Sequence, residues 1–354
     1  MLPAPVPPAP IEPPPAASTA QIAPPPALSA AVSAALSAGA QAIDGGAPAT
    51  PIEAISEARA EELLFPPELG SPGDLGSCRA AAGVEASILC LLDRRYNGPA
   101  PAGDPEGARS AAELYRVSGA VAGLLPREEM DGGFRGQLLL LPELPVGTYR
   151  RHLGWVLDAH RDFERFFADL RGANGGAVRF RTRALAYRFF RSHKRTTPSA
   201  YAQSWTVAYN VVGSLNTSAS AVRETLFHEI FHLNDFDHGD WSPGALGSIY
   251  DAIVHRCGTK MACLRPFTPT ETTVRGGTYY AFQPDNGQSV HEYAAELATR
   301  YYLEQEAAFA GKKRSKPPFK CGPPENRTAW EAIAKEFFGG VDRVPSCDKD
   351  RSGP

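Results

Sequence analysis

Residues 224–240 read Glu224-Thr-Leu-Phe-His228-Glu229-Ile-Phe-His232-Leu-Asn-Asp235-Phe-Asp-His238-Gly-Asp240. His228, Glu229 and His232 form the pattern HExxH. On an α-helix, residues four apart lie one turn apart on one face, so both imidazoles can reach one metal ion. Val222, Leu226, Phe227, Ile230, Phe231 and Leu233 surround them with apolar side chains, which places the helix largely in the interior. With 8 His in 354 residues, the pattern arises by chance in on the order of one chain in a hundred. The bland alternative is a core helix whose histidines make structural hydrogen bonds. Against it, two buried imidazoles and a carboxylate on one turn are costly without a partner, and a metal is the usual one. The expected metal is zinc, which in catalytic sites keeps a few protein ligands and an open position for water. Glu229 is then placed to accept that water's proton.

Around this helix the pattern is mixed. Ser204–Val212 alternates, with Trp205, Val207, Tyr209 and Val211 on one face and Ser204, Thr206, Ala208 and Asn210 on the other. Gly213 and Asn216 turn the chain, and Thr217 or Ser218 can cap the helix that follows. Upstream, Gln137–Leu141 reads as a short strand. Tyr149–Arg171 reads as a helix with Leu153, Val156, Leu157, Phe163 and Phe167 on its inner side, and Val178–Ala186 as an alternating strand. Strands leading into helices indicate an α+β fold. Before them, Ile52–Leu64, Cys78–Arg95 and Ala108–Leu125 carry helical patterns, and Thr328–Phe338 is expected to be a short helix near the C-terminus.

Two histidines do not complete a catalytic zinc site. One candidate third ligand is Glu292 in Ser289-Val-His-Glu292-Tyr-Ala-Ala-Glu296, which opens a helix running to about Phe309. The other is His238, six residues after His232. Ser289-x-x-Glu292 also matches a capping box, in which Glu292 would bond only the helix backbone. HExxH followed by a helix bearing Glu-x-x-Ala-Glu resembles the gluzincin zinc peptidases. HExxHxxD, ending here at Asp235, with Glu-Tyr-Ala-Ala-Glu is similar to the catalytic domain of anthrax lethal factor and related bacterial proteins. The resemblance covers these two helices, about a tenth of the chain. It implies a zincin-like fold, a polypeptide substrate and Glu292 as third ligand, with Asp235 and Glu296 standing behind the ligands. It also implies that the strand before the first helix, Ser204–Val212, pairs with the substrate, and that Tyr279 or Tyr280 donates to the oxyanion. The rival resemblance is to metzincins, HExxHxxGxxH. It would make His238 the ligand and Met261 the later methionine, but Asp235 stands where that pattern has glycine.

Competing readings use the same residues. In a non-catalytic binding module His228, His232, His238 and Glu292 would close the zinc, and an amidase acting on cell-wall peptides would share the chemistry. A net charge of −3 gives no case for nucleic-acid binding, and no apolar run is long enough to span a membrane. Oligomeric state is not legible. Six cysteines fall into the couples Cys78/Cys90, Cys257/Cys263 and Cys321/Cys347, which suggests disulfides and a secreted or periplasmic protein. No signal peptide is visible. The expected organisation is a disordered Pro/Ala-rich leader or linker over 1–50 and a helical N-terminal region over 51–128. A zincin-like metallopeptidase domain over 129–310 and a C-terminal appendage over 311–354 follow. A thiolate of Cys78 in such an N-terminal region can occupy the zinc's open position, but a plain structural extension is the commoner role.

Overall fold

A computed structural model describes residues 54–69, 73–98, 103–132, 136–173, 175–274, 277–283, 289–312 and 316–347. The Pro/Ala-rich leader expected over 1–50 lies outside the described residues. The fold is α+β. Its main helices are α1 (Glu57–Leu64), α2 (Val84–Asn97), α3 (Pro105–Ser118), α4 (Arg150–Gly172), α5 (Ala219–Asp237), α6 (Trp241–Cys257), α7 (Ser289–Phe309) and α8 (Pro324–Phe337).

One mixed sheet holds β1 (Val121–Leu124), β2 (Glu128–Asp131), β3 (Gln137–Pro142), β4 (Ala186–Ser192), β5 (Ala200–Gln203) and β6 (Thr206–Asn210). Its order is β2-β3-β4-β6-β5. β1 runs parallel to the first half of β4, and β3 runs antiparallel to its second half. β6 is parallel to β4 and antiparallel to β5, so both of its edges are paired. A two-residue ribbon joins β7 (Thr273–Val274) to β8 (Thr278–Tyr279).

The expected strand Val178–Ala186 is not one. Val178 makes a single bridge to Phe338, and the strand starts where the expected one ends. β4 is central and covered on both faces: Tyr187 and Phe189 pack toward the helices, while Phe190 joins Leu138, Leu140 and Ala208 on the other side. A strand buried on both faces has no alternation to read. The helix expected over Ala108–Leu125 ends at Ser118, and β1 follows. α1 lies so close to β1 that a Cβ at Gly123 would stand 2.2 Å from the Leu63 carbonyl oxygen. Only glycine fits that crossing.

The large core runs from Ile55 through the sheet to Phe338 and Val344, and a small second cluster of Leu125, Leu138, Leu140, Phe190 and Ala208 lies on the sheet's other face. Among the described residues, no separate core marks the boundaries expected at 128/129 or 310/311. Trp330, Ile333 and Phe337 of α8 are buried in the large core. At its centre Phe227 of α5 stacks on Phe180 and Tyr302, with ring centroids 5.0 and 4.4 Å apart. Each such buried ring contributes about 1.5–3 kcal/mol. The three expected cysteine couples are bonded: Cys78–Cys90, Cys257–Cys263 and Cys321–Cys347. Cys78 is fully buried and has no thiolate to offer a metal. No described helix is long and apolar enough to cross a membrane.

Candidate metal centre

Ser218 caps α5, its hydroxyl accepting from the Ala221 N–H at 3.2 Å. The face Val222, Leu226, Phe227, Ile230 and Asn234 turns into the core. Asn234 holds the 178–183 segment against the helix: its Oδ1 accepts from the Arg181 N–H at 2.7 Å, and its Nδ2 donates to the Arg181 carbonyl at 3.0 Å. The rotation of α5 is thereby fixed, and His228 and His232 are left on the face toward α7.

There they meet Glu292, in the first turn of α7. His228 Nε2 lies 3.1 Å from Glu292 Oε2 and 3.1 Å from His232 Nε2, and His232 Nε2 lies 3.6 Å from Glu292 Oε2. Donors about 2.1 Å from a tetrahedral zinc stand about 3.4 Å apart. The three atoms therefore suit one small cation. The Glu292 carboxyl faces the two histidines; the side chain of Ser289, the other half of the expected capping box, lies outside the described residues. Behind His228, its Nδ1 is 3.4 Å from Glu296 Oε1, and the Thr270 hydroxyl donates to Glu296 Oε2. A carboxylate on the far nitrogen fixes the tautomer and orientation of a metal-ligating imidazole. Burial opposes charge on His228, yet its bonds to Glu292 and Glu296 outweigh this and hold its proton well above the usual imidazole range. Burial also disfavours charge on Glu292, but both histidines hold its carboxyl far below the usual carboxylate range.

Glu229 lies beside this group. Burial pushes its carboxyl up, His228 and His232 pull it back, and Glu292 adds to the rise. The two candidate tyrosines part company. Tyr280 faces the centre, its ring centroid 6.0 Å from that of His228 and its hydroxyl against Glu292. Burial first, then the charges of Glu292 and Glu229, keep its phenol protonated. Tyr279 points the other way and hydrogen-bonds Arg265.

His238 is not brought to the group. α5 continues helically through Asp235 to Asp237, and a residue six places on from His232 is rotated about 240° from it. His238 Nδ1 instead lies 2.7 Å from Glu336 Oε1 on α8, with its ring against Phe337. The sharp turn that a metzincin pattern needs at residue 235 is absent. Asp235, 1 % exposed, accepts from the Ser242 N–H at 2.8 Å and hydroxyl at 2.6 Å, pinning the start of α6 to α5. Asp240 in turn holds His291 Nε2 at 2.6 Å, immediately before Glu292.

Three contributors escaped sequence reading. Thr270 and the Asp240–His291 pair carry no motif. The third is β5. The resemblance implies that Ser204–Val212 pairs with substrate, but β6 has no free edge, and Ser204 and Trp205 form the hairpin turn. β5 pairs only with β6 among the described strands, and it is β5 that lies against α5. The chain matches no protein-family model, no curated protein and no solved structure.

Proposed function

We propose that the protein is a zinc-dependent metallopeptidase of zincin-like fold, exported to an oxidising compartment. The observation that carries this reading is the convergence of His228 Nε2, His232 Nε2 and Glu292 Oε2, from two helices, beside the half-buried carboxyl of Glu229. These three side chains would hold the zinc. When bound, the ion supplies the Lewis acid that polarises a scissile carbonyl and acidifies water. Glu229, its affinity for a proton raised by burial, accepts the water proton and passes it to the leaving amine. Tyr280 keeps its phenol proton and donates it as a hydrogen bond to the developing oxyanion. Glu296 keeps His228 oriented. The outer edge of β5, beside α5, offers backbone N–H and C=O groups to an extended polypeptide. Three disulfides suit an extracellular or periplasmic setting.

The test is Glu229→Gln, purified beside the parent protein. The variant is expected to keep about one zinc per chain while hydrolysis of an unfolded polypeptide falls by about 10²–10⁴-fold. Unchanged turnover removes Glu229 from the chemistry. A parent protein that carries zinc and cleaves no peptide bond overturns the enzyme reading.

A further inference from the structure

The face of α5 that carries the metal centre ends in a large side chain that neither the core nor the centre uses. From the N-terminus, Ala221, Thr225, Glu229 and His232 stand half-buried along it, and Phe236 closes the row. Helical geometry points Phe236 within about 40° of His232 and about 20° of Glu229. It stands one turn beyond His232, about 6 Å further along the helix axis. Leu233 and Asp235, to either side of the row, are buried. Phe236 is 55 % exposed, and it is the only exposed phenylalanine among the described residues.

The helix itself gives no reason for a ring here. Phenylalanine is an indifferent helix former, and the last turn of a helix favours Lys or Arg, of which this one has none. Phe227 and Phe231, on the inner face, pack against Phe180. Burial of such a ring contributes about 1.5–3 kcal/mol, much of which an exposed ring forgoes. A lone apolar side chain is ordinary on a protein surface. The place of this one is not, since it shares a stripe with His232 and Glu229. β5, which pairs only with β6 among the described strands, lies against the same helix. An extended chain rises about 3.3 Å per residue, so a chain held both at β5 and at the metal centre passes Phe236 within about two residues of that centre.

We propose that Phe236 is a specificity-determining residue, its ring forming one wall of a subsite for a large apolar side chain of the polypeptide substrate. The inference rests on the peptidase reading and deepens it to a substrate class. Preferred chains carry a residue such as Leu, Met or Phe within about two positions of the scissile bond. Contact with that side chain removes the exposed part of the ring from water, which is the stabilisation the free protein lacks.

The experiment uses the full, zinc-loaded chain carrying Glu229→Gln, so that binding is read without turnover. The probes are two fluorescein-labelled twelve-residue peptides of one sequence, with Leu or Asn at every second position. Alternate side chains of a strand share a face, so one register always presents the test residue to Phe236. Fluorescence anisotropy is expected to give about tenfold tighter binding of the Leu peptide. Phe236→Ser should abolish most of that preference and leave binding of the Asn peptide unchanged, while Phe236→Leu should retain it. Unchanged zinc content and thermal midpoint confirm that the variants fold. Val84→Ser, at a residue 51 % exposed on α2, is the control for general apolar stickiness and should change nothing. Equal binding of the two peptides overturns the proposal, as does a preference that survives Phe236→Ser or is lost equally in Val84→Ser. A dimer that Phe236→Ser converts to monomer also overturns it, because the ring then belongs to a contact between copies. Because the readout needs no cleavage, a protein that proved not to be a peptidase would still give a Leu-against-Asn ratio, and the two failures remain distinct.

Discussion

Four of the eight histidines sit on the two long neighbouring helices α4 and α5, and their settings are opposite. On α4, His152 and His160 are buried and eight residues apart. Each meets one tyrosine of the sheet: His152 Nδ1 is 2.9 Å from the Tyr209 hydroxyl, and His160 Nε2 is 2.7 Å from that of Tyr187. Burial, with a lesser push from Arg151 and Arg183, lowers them to about 4 and about 3, so both stay neutral. On α5, His228 and His232 are four apart and meet each other and a carboxylate. There His228 keeps its proton despite burial. Burial of a histidine therefore marks nothing by itself. A functional site needs imidazoles that converge, with an anion beside them that a cation can share.

The largest effect should come from removing that anion. Glu292→Ala is expected to lower zinc affinity by at least about a thousandfold, leaving His228 and His232 alone, which is too few ligands for a stable site. His238→Ala, just past the end of the same helix and bonded to Glu336, should leave zinc content untouched. Zinc measured per chain after dialysis separates the two. Equal zinc in Glu292→Ala and the parent protein would return Glu292 to the role of a helix cap.

The α4 pair should show itself in acid stability. A histidine whose pKa is depressed on folding favours the folded state in its neutral form. Its contribution is complete above the unfolded pKa near 6.5 and is lost as pH falls toward about 3 for His160. Between those values the unfolded chain binds one more proton, so stability falls by up to about 1.4 kcal/mol per pH unit from this residue. Urea unfolding of metal-free protein at pH 7, 5.5 and 4 should give a steep dependence that His160→Gln flattens. Parallel slopes in the two proteins would mean that His160 is not held neutral by burial.

What could be read from the sequence follows the same division. α4 and α5 announced themselves because each has one apolar stripe and one other face, and HExxH needs only local spacing. Glu292 was within reach because its own helix carries a second carboxylate one turn on. The sheet was harder. β4 is buried on both faces and shows no period, β1 is four residues of the kind that also end helices, and β5 is a four-residue Ala-Tyr-Ala-Gln stretch. The stretch with the clearest alternation holds β6, but the substrate pairing that the resemblance implies for it has no free edge to use, since pairing on both sides is a property of topology. Tyr280 could not be told from Tyr279, because which of two adjacent side chains faces a site depends on the β7–β8 ribbon. Trp330, Phe337 and Phe338 were assigned to an appendage for lack of any local signal that they complete the core around α5.

The smallest effect concerns Glu296, and it refines what separates the two helices. His160 and His228 are both fully held rings, but the far nitrogen differs. The Nδ1 of His160 is buried without a hydrogen-bond partner, whereas that of His228 faces Glu296 at 3.4 Å. A carboxylate there fixes the Nδ1–H tautomer, frees Nε2 as a donor of its lone pair and raises the basicity of the ring. Glu296→Gln preserves shape and can still accept from Nδ1–H through its amide oxygen, but it removes the charge. Zinc affinity is therefore expected to fall by about 10–100-fold, with one zinc still bound at saturation. Competition with a chromogenic chelator measures it. Unaltered affinity would show that the histidine is oriented without Glu296's charge, and that the centre draws nothing from its second carboxylate.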